Sequence, residues 1–145
     1  MPKVLTIDPG TRGGAIYYDD CGGFESFSYQ GFQKIPRFLD IDVCVMEKLW
    51  GTASRLPKVQ ANLFRSMGHW EGAFPEQEWI YVTPQEWQKD LHIKADSYGE
   101  RKKKLHALAQ DELQPAWNMR MTHKISDAAL LMRWYLDSLD INWAP

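Results

Sequence analysis

The chain has 145 residues, 44% of them apolar, enough to bury one core around a sheet, and a single domain over residues 1–145 is expected. Cys21 and Cys44 are too few for a disulfide framework, and neither a signal-peptide stretch nor a bilayer-length apolar run is present, so a soluble, intracellular protein with no membrane partner is expected. The net charge of −2 excludes a uniformly basic nucleic-acid-binding chain and makes the local placement of Lys and Arg decisive.

Residues 3–8 read as a first strand, because the apolar run Val4-Leu5-Thr6-Ile7 ends on Asp8. Gly13 to Asp19 gives a second strand, and Gly22-Gly23 turn into a third at Phe24 to Tyr29, which makes an antiparallel meander. A short helix is expected over Lys34 to Leu39. Val43 to Glu47 then returns as a fourth strand that can lie beside the first. Val59, Leu63, Met67 and Trp70 recur at helical spacing, and Trp79-Ile80-Tyr81-Val82 form a fifth strand. Thr83-Pro84-Gln85-Glu86 has the form of an N-cap followed by Pro at the first helical position and an acid at the third. Leu105, Leu108 and Ala109 continue an amphipathic helix after Arg101 that is expected to end near Pro115. Ala128, Leu131, Tyr135 and Leu139 stripe the last helix, with Asp127 near its start.

Two acids in this reading occupy equivalent places. Asp8 directly follows one apolar strand and Glu47 directly follows another, so both can converge at one sheet edge. Asp127, at the head of an apolar helix, is the third candidate. Buried carboxylates without compensation are costly, and a cluster of them calls for a cation, shared protons or basic partners. A divalent cation answers this most simply. Oxygen-rich sites suit Mg²⁺ or Mn²⁺, and two ions between carboxylates can drive in-line hydrolysis of a phosphodiester. Asp19, Asp20, Asp40 and Asp42 are turn residues by position, and Asp137 and Asp140 face water on the last helix. The scattered His69, His92 and His106 have no metal-ligand spacing.

Positive charge is concentrated in Arg101-Lys102-Lys103-Lys104, with Lys89 and Lys94 before it and Arg55 and Lys58 after the second acidic motif. Taken alone the run is a solvated helix start. Beside three carboxylates it can form a phosphate track.

The segments Ile7-Asp8-Pro9-Gly10-Thr11-Arg12-Gly13-Gly14, Val45-Met46-Glu47-Lys48-Leu49-Trp50, Val82-Thr83-Pro84 with Trp87 and Lys89, and Ser126-Asp127-Ala128-Ala129-Leu130-Leu131 resemble, in order and spacing, the RuvC-like Holliday junction resolvases, especially their small phage-type members. The resemblance runs from the first strand to the last helix. It implies an α/β, RNase H-like fold, with a five-stranded mixed sheet (the meander plus two parallel strands) flanked by helices. It also implies a homodimer that uses divalent metals, two per site, to place paired symmetric nicks in four-way DNA, in a bacterial cytoplasm and encoded by a phage or prophage. Asp8, Glu47 and Asp127 match the family's metal-binding acids.

One departure concerns the last helix. Bacterial members often carry another acid one helical turn before the final Asp, and this chain has Lys124 there with His123 beside it. Residues at i and i+3 or i+4 share a helical face, so both are expected near Asp127, where a cation can orient the attacking water or offset charge on the phosphorane. Trp50, on the segment after Glu47, matches the position where the family inserts an aromatic into the junction centre. Stacking there contributes about 1–3 kcal/mol per base. The helix from Val59 to Trp70 would, by the same resemblance, form part of a dimer interface. The DNA-binding candidates are thus Trp50, Arg55, Lys58, Lys89, Arg101, Lys102, Lys103, Lys104 and His123.

Two other readings stay open. A YqgF-type nuclease, which processes ribosomal RNA precursors, shares an Asp-Gly-Thr-Arg hairpin and an Asp-Ala-Ala-like last helix, but does not usually place a Glu where Glu47 ends the fourth strand. A non-catalytic branched-DNA-binding module has little reason to keep all three acids, and an actin-like kinase needs a second lobe that 145 residues cannot supply.

Overall fold

The computed structural model describes residues 2–48 and 56–144. Five strands, β1 (Val4–Asp8), β2 (Gly14–Asp19), β3 (Gly23–Ser28), β4 (Val43–Glu47) and β5 (Glu78–Val82), form one sheet in the order β3-β2-β1-β4-β5. β1 pairs antiparallel with β2 and parallel with β4, β3 pairs antiparallel with β2, and β5 pairs parallel with β4. The mixed sheet with an antiparallel meander is the one expected. The helices are α1 (Pro57–Ala73), α2 (Pro84–Gln88), α3 (Tyr98–Leu108), α4 (Gln114–Trp117) and α5 (Ser126–Ser138). None is long and apolar enough to cross a membrane among the described residues.

Strand alternation sorts the core into two layers. Leu5 and Ile7 of β1 and Cys44 and Met46 of β4 pack on one face with Trp70 of α1. Val4 of β1 and Val43 and Val45 of β4 pack on the other face with Trp87, Leu105 and the apolar side of α5. Cys44 lies within the first layer, where burial pushes its thiol up to about 12, whereas Cys21 is exposed; both are free.

One local expectation differs from the structure, and one helix carries a feature beyond it. In place of a helix over Lys34 to Leu39 there is one 3₁₀ turn, Phe32–Lys34, closed by Ile35 in an extended conformation. Pro36 explains this, because the residue before a proline is pushed out of the helical region. The helix through Arg101 ends near Pro115, as expected, but reaches its last residue, Trp117, through a π-helical segment, Ala109–Leu113, and α4. A proline has no N–H to give to an α-helical ladder, and the change of register upstream of Pro115 accommodates that loss.

The start of α2 follows the sequence reading: Thr83 Oγ1 accepts a hydrogen bond from the Glu86 N–H at 3.3 Å, with Pro84 in the first turn. At Gly14 the packing itself demands glycine. A Cβ there would stand 2.7 Å from the Phe27 carbonyl oxygen and 2.8 Å from that of Lys124, which joins β2 to the turn in front of α5. Gly14→Ala is therefore expected to destabilise the protein by about 1–3 kcal/mol, read as a lower urea midpoint at unchanged slope. A midpoint equal to that of the wild type would contradict this packing.

Candidate active site

The alternation that builds the core also aims the acids. Asp8 follows Val4 and Thr6 on the α5 side of β1, and Glu47 follows Val43 and Val45 on the same side of β4. The parallel register sets Ile7 opposite Met46, so the two acids leave adjacent strand ends together. Thr6 Oγ1 donates to the Ala128 carbonyl at 2.7 Å in the buried interior and fixes the first turn of α5 against β1. That contact brings in Asp127. Ligand oxygens of Asp8, Glu47 and Asp127 lie within 4.8 Å of one another, and the three residues are only 8, 4 and 5% exposed.

Each acid is held differently. The Trp87 indole, itself 1% exposed, donates through Nε1 to Glu47 Oε2 at 2.6 Å. Lys102 of α3 forms an ion pair with Asp127 Oδ2. Asp8 is held well above the usual carboxylate range by burial first, then by the charges of Asp127 and Glu47, with Lys102 opposing. Burial alone would lower the Lys102 ammonium, but Asp127 and Asp8 outweigh it and raise it. Like charges crowded in a buried corner thus keep the Asp8 carboxyl raised although Lys102 opposes them. The loop between β1 and β2 closes over this corner: its Gly10 N–H donates to Ser66 Oγ of α1 at 2.8 Å.

The acids lie in a cleft of about 1290 Å³. Arg12, Lys89, Arg101, Lys102, His123 and Lys124 line it, which gathers basic residues from four parts of the chain around the acids. Lys124 and His123 lie on the turn before α5 rather than on a helical turn of it, since the helix begins at Ser126. His123 stacks on His106 at 3.8 Å between ring centroids, and Ser126 Oγ joins His106 Nδ1 at 2.5 Å and the Thr122 carbonyl at 2.6 Å. Burial, then the neighbouring His123, lowers His106 below the ordinary histidine range. Arg101 reaches Gln88 Oε1 at 3.1 Å and so ties α3 to the end of α2.

Lys58, Lys103 and Lys104 are exposed and do not line the cleft; Lys104 pairs with Glu100 at 3.1 Å along its own helix. Trp50 and Arg55 lie outside the described residues. Among the described residues a second group, Asp19, Asp20 and Cys21, could also hold a cation, but the Cys21 N–H closes the turn on Asp19 Oδ1 at 2.9 Å, as expected for turn residues.

No protein-family model and no curated protein sequence matches the chain. Solved structures do. RuvC of Thermus thermophilus in complex with a Holliday junction substrate aligns with a TM-score of 0.58 at 13% identity, over 95% of this chain and 96% of that one. The fowlpox virus resolvase, solved with its substrate Holliday junction DNA, aligns with a TM-score of 0.54 at 18% identity, over 94% and 98%. The chain has the RuvC-type resolvase fold. This is the RNase H-like architecture expected from the sequence, and the resolvase fold is present over nearly the whole length of both chains.

The three carboxylates suit a divalent cation by their chemistry. They offer hard oxygen donors, are buried and share one corner, which is the donor set that Mg²⁺ and Mn²⁺ take. Two contacts were beyond the sequence reading. The motif that contains Trp87 does not show its bond to Glu47, and the basic run that contains Lys102 does not show its pairing with Asp127.

Proposed function

We propose that the protein is a metal-dependent endonuclease that resolves four-way DNA junctions by paired symmetric nicks, acting as a homodimer. The observation that carries this reading is the convergence of Asp8, Glu47 and Asp127 at one end of a resolvase-type sheet, inside a cleft rimmed by basic side chains. Asp8, Glu47 and Asp127 would hold Mg²⁺ or Mn²⁺, two ions per site. Bound there, such ions supply Lewis-acid polarisation of the phosphodiester and an activated water for in-line hydrolysis.

The chain's own residues do the rest. Trp87 keeps one oxygen of Glu47 oriented, and Thr6 keeps the α5 terminus seated so that Asp127 faces the other acids. Lys89, Arg101, Lys124 and His123 line the approach and would neutralise the DNA backbone beside the scissile phosphate, where Lys124 can offset charge on the phosphorane. Lys58, Lys103 and Lys104 would extend this field away from the cleft. Trp50 and Arg55 keep the junction-contacting roles that the sequence suggests. In α1, the helix that the resemblance would place in a dimer interface, Phe64 is 45% exposed, which supports a second copy of the chain as the partner.

The test is cleavage of a four-way junction compared with linear duplex DNA and structured RNA, in Mg²⁺ and in Mn²⁺. Preferential cutting of the junction is expected. Cutting of RNA alone would transfer the protein to ribosomal RNA processing, and binding of the junction without cutting would leave a binding module. For the phosphate track, Lys89→Glu is expected to weaken junction binding and lower the slope of log affinity against log salt by about one unit, with cleavage positions unchanged. An unchanged slope would return Lys89 to the ordinary surface.

A further inference from the structure

The cation that meets the carboxylate cluster comes from α3. Lys102 Nζ is paired with Asp127 Oδ2, and the two partners differ sharply in access: the Asp127 side chain is 7% exposed and that of Lys102 is 37% exposed. The lysine therefore spans from the buried acid to the open part of the cleft, where Lys89 and Arg101 also lie. Its helix is held independently of this contact. Leu105 is 1% exposed in the core, and Arg101 anchors the same turn to Gln88. A lysine is a compact charge on a flexible four-carbon stem, so its head can leave Asp127 while α3 stays in place.

An ammonium held on one oxygen of Asp127 takes up part of that carboxylate's lone-pair capacity and negative charge, and it repels a divalent cation brought to the same carboxylate. A DNA phosphate entering the cleft offers Lys102 an alternative anion close to the one it holds. We propose that Lys102 couples DNA binding to metal binding: it competes with the divalent cation for Asp127, and a backbone phosphate draws its ammonium away, so that each ligand raises affinity for the other. This rests on the endonuclease reading above and deepens it by assigning the site a regulator that favours loading of the metal where DNA is already bound. Coupling of this kind is reciprocal, and factors of about 5–150 are typical.

The experiment titrates Ca²⁺ by calorimetry into wild type, Lys102→Met and Lys124→Met, each alone and with a four-way junction whose integrity is checked on denaturing gels. Lys124→Met removes a charge from the same cleft and serves as the control for the general field. Lys102→Met alone is expected to bind Ca²⁺ about tenfold more tightly than the wild type and more tightly than Lys124→Met. The factor by which the junction tightens Ca²⁺ binding is expected to shrink in Lys102→Met and to persist in Lys124→Met. Equal or weaker Ca²⁺ binding by Lys102→Met overturns the competition, and equal effects of both substitutions reduce it to the general field and overturn it too. A wild type that binds neither Ca²⁺ nor the junction would instead remove the endonuclease reading on which the coupling rests. Melting curves of the three proteins without metal check that each is folded.

Discussion

Asp8→Asn, Glu47→Gln and Asp127→Asn are each expected to slow junction cleavage by about a thousandfold or more, roughly 4 kcal/mol of barrier, while the protein still folds and binds the junction. Removing one anionic ligand weakens metal capture, but the basic rim that contacts phosphate is untouched. Melting separates this from general damage. The Asp8 carboxyl is raised in the folded state by burial and by its acidic neighbours, so its protonated form favours folding, and stability from this group is lost as pH rises through its folded-state pKa. Asn imitates the neutral form. Asp8→Asn should therefore melt above wild type at neutral pH in a chelator, and should lose the rise in Tm that Mg²⁺ or Mn²⁺ gives the wild type. Wild-type turnover by any of the three variants would remove that residue from the site.

Trp87→Phe is expected to weaken divalent-cation binding by about 10–100-fold and to lower cleavage in parallel, although the indole is too deeply buried to touch DNA. Phe keeps most of the volume but removes the indole donor from Glu47 Oε2. The carboxylate then loses the buried bond that helps to hold it facing Asp8 and Asp127. Trp87 acts here as a positioning residue, and the readout that separates this from simple destabilisation is the affinity for Ca²⁺ measured well below the melting temperature. Loss of stability with unchanged Ca²⁺ affinity would assign the indole to packing alone.

The architecture was legible because its signals are local. Apolar runs that end on Asp8 and Glu47 mark two strands by composition, and alternation together with the parallel register of β1 and β4 places both acids on the same side of the sheet. The Thr83-Pro84 start of α2 and the apolar stripe of α5 are likewise written within a few residues. What the sequence hid was pairing over distance. Lys102 and Asp127 are 25 residues apart and Trp87 and Glu47 are 40 apart, so each contact depends on how α3 and α2 settle against the sheet. A run of four basic residues also offers no way to say which one faces inward. The i, i+3 spacing that sets Lys124 on the face of Asp127 holds only if the helix already includes Lys124, and the backbone enters α5 at Ser126 and leaves Lys124 on the preceding turn. After Lys34 a single proline, Pro36, is the local signal that excludes the expected helix.

The most direct test of the central claim is to map the cuts in a four-way junction labelled in turn on each of its four strands, incubated with the protein in Mg²⁺ and in Mn²⁺ and run under denaturing conditions. Nicks are expected at symmetry-related positions on two opposing strands, dependent on the divalent ion and absent with Asp8→Asn, Glu47→Gln and Asp127→Asn. Junctions left intact under both metals, or cut with no symmetry and equally well as linear duplex, would contradict it.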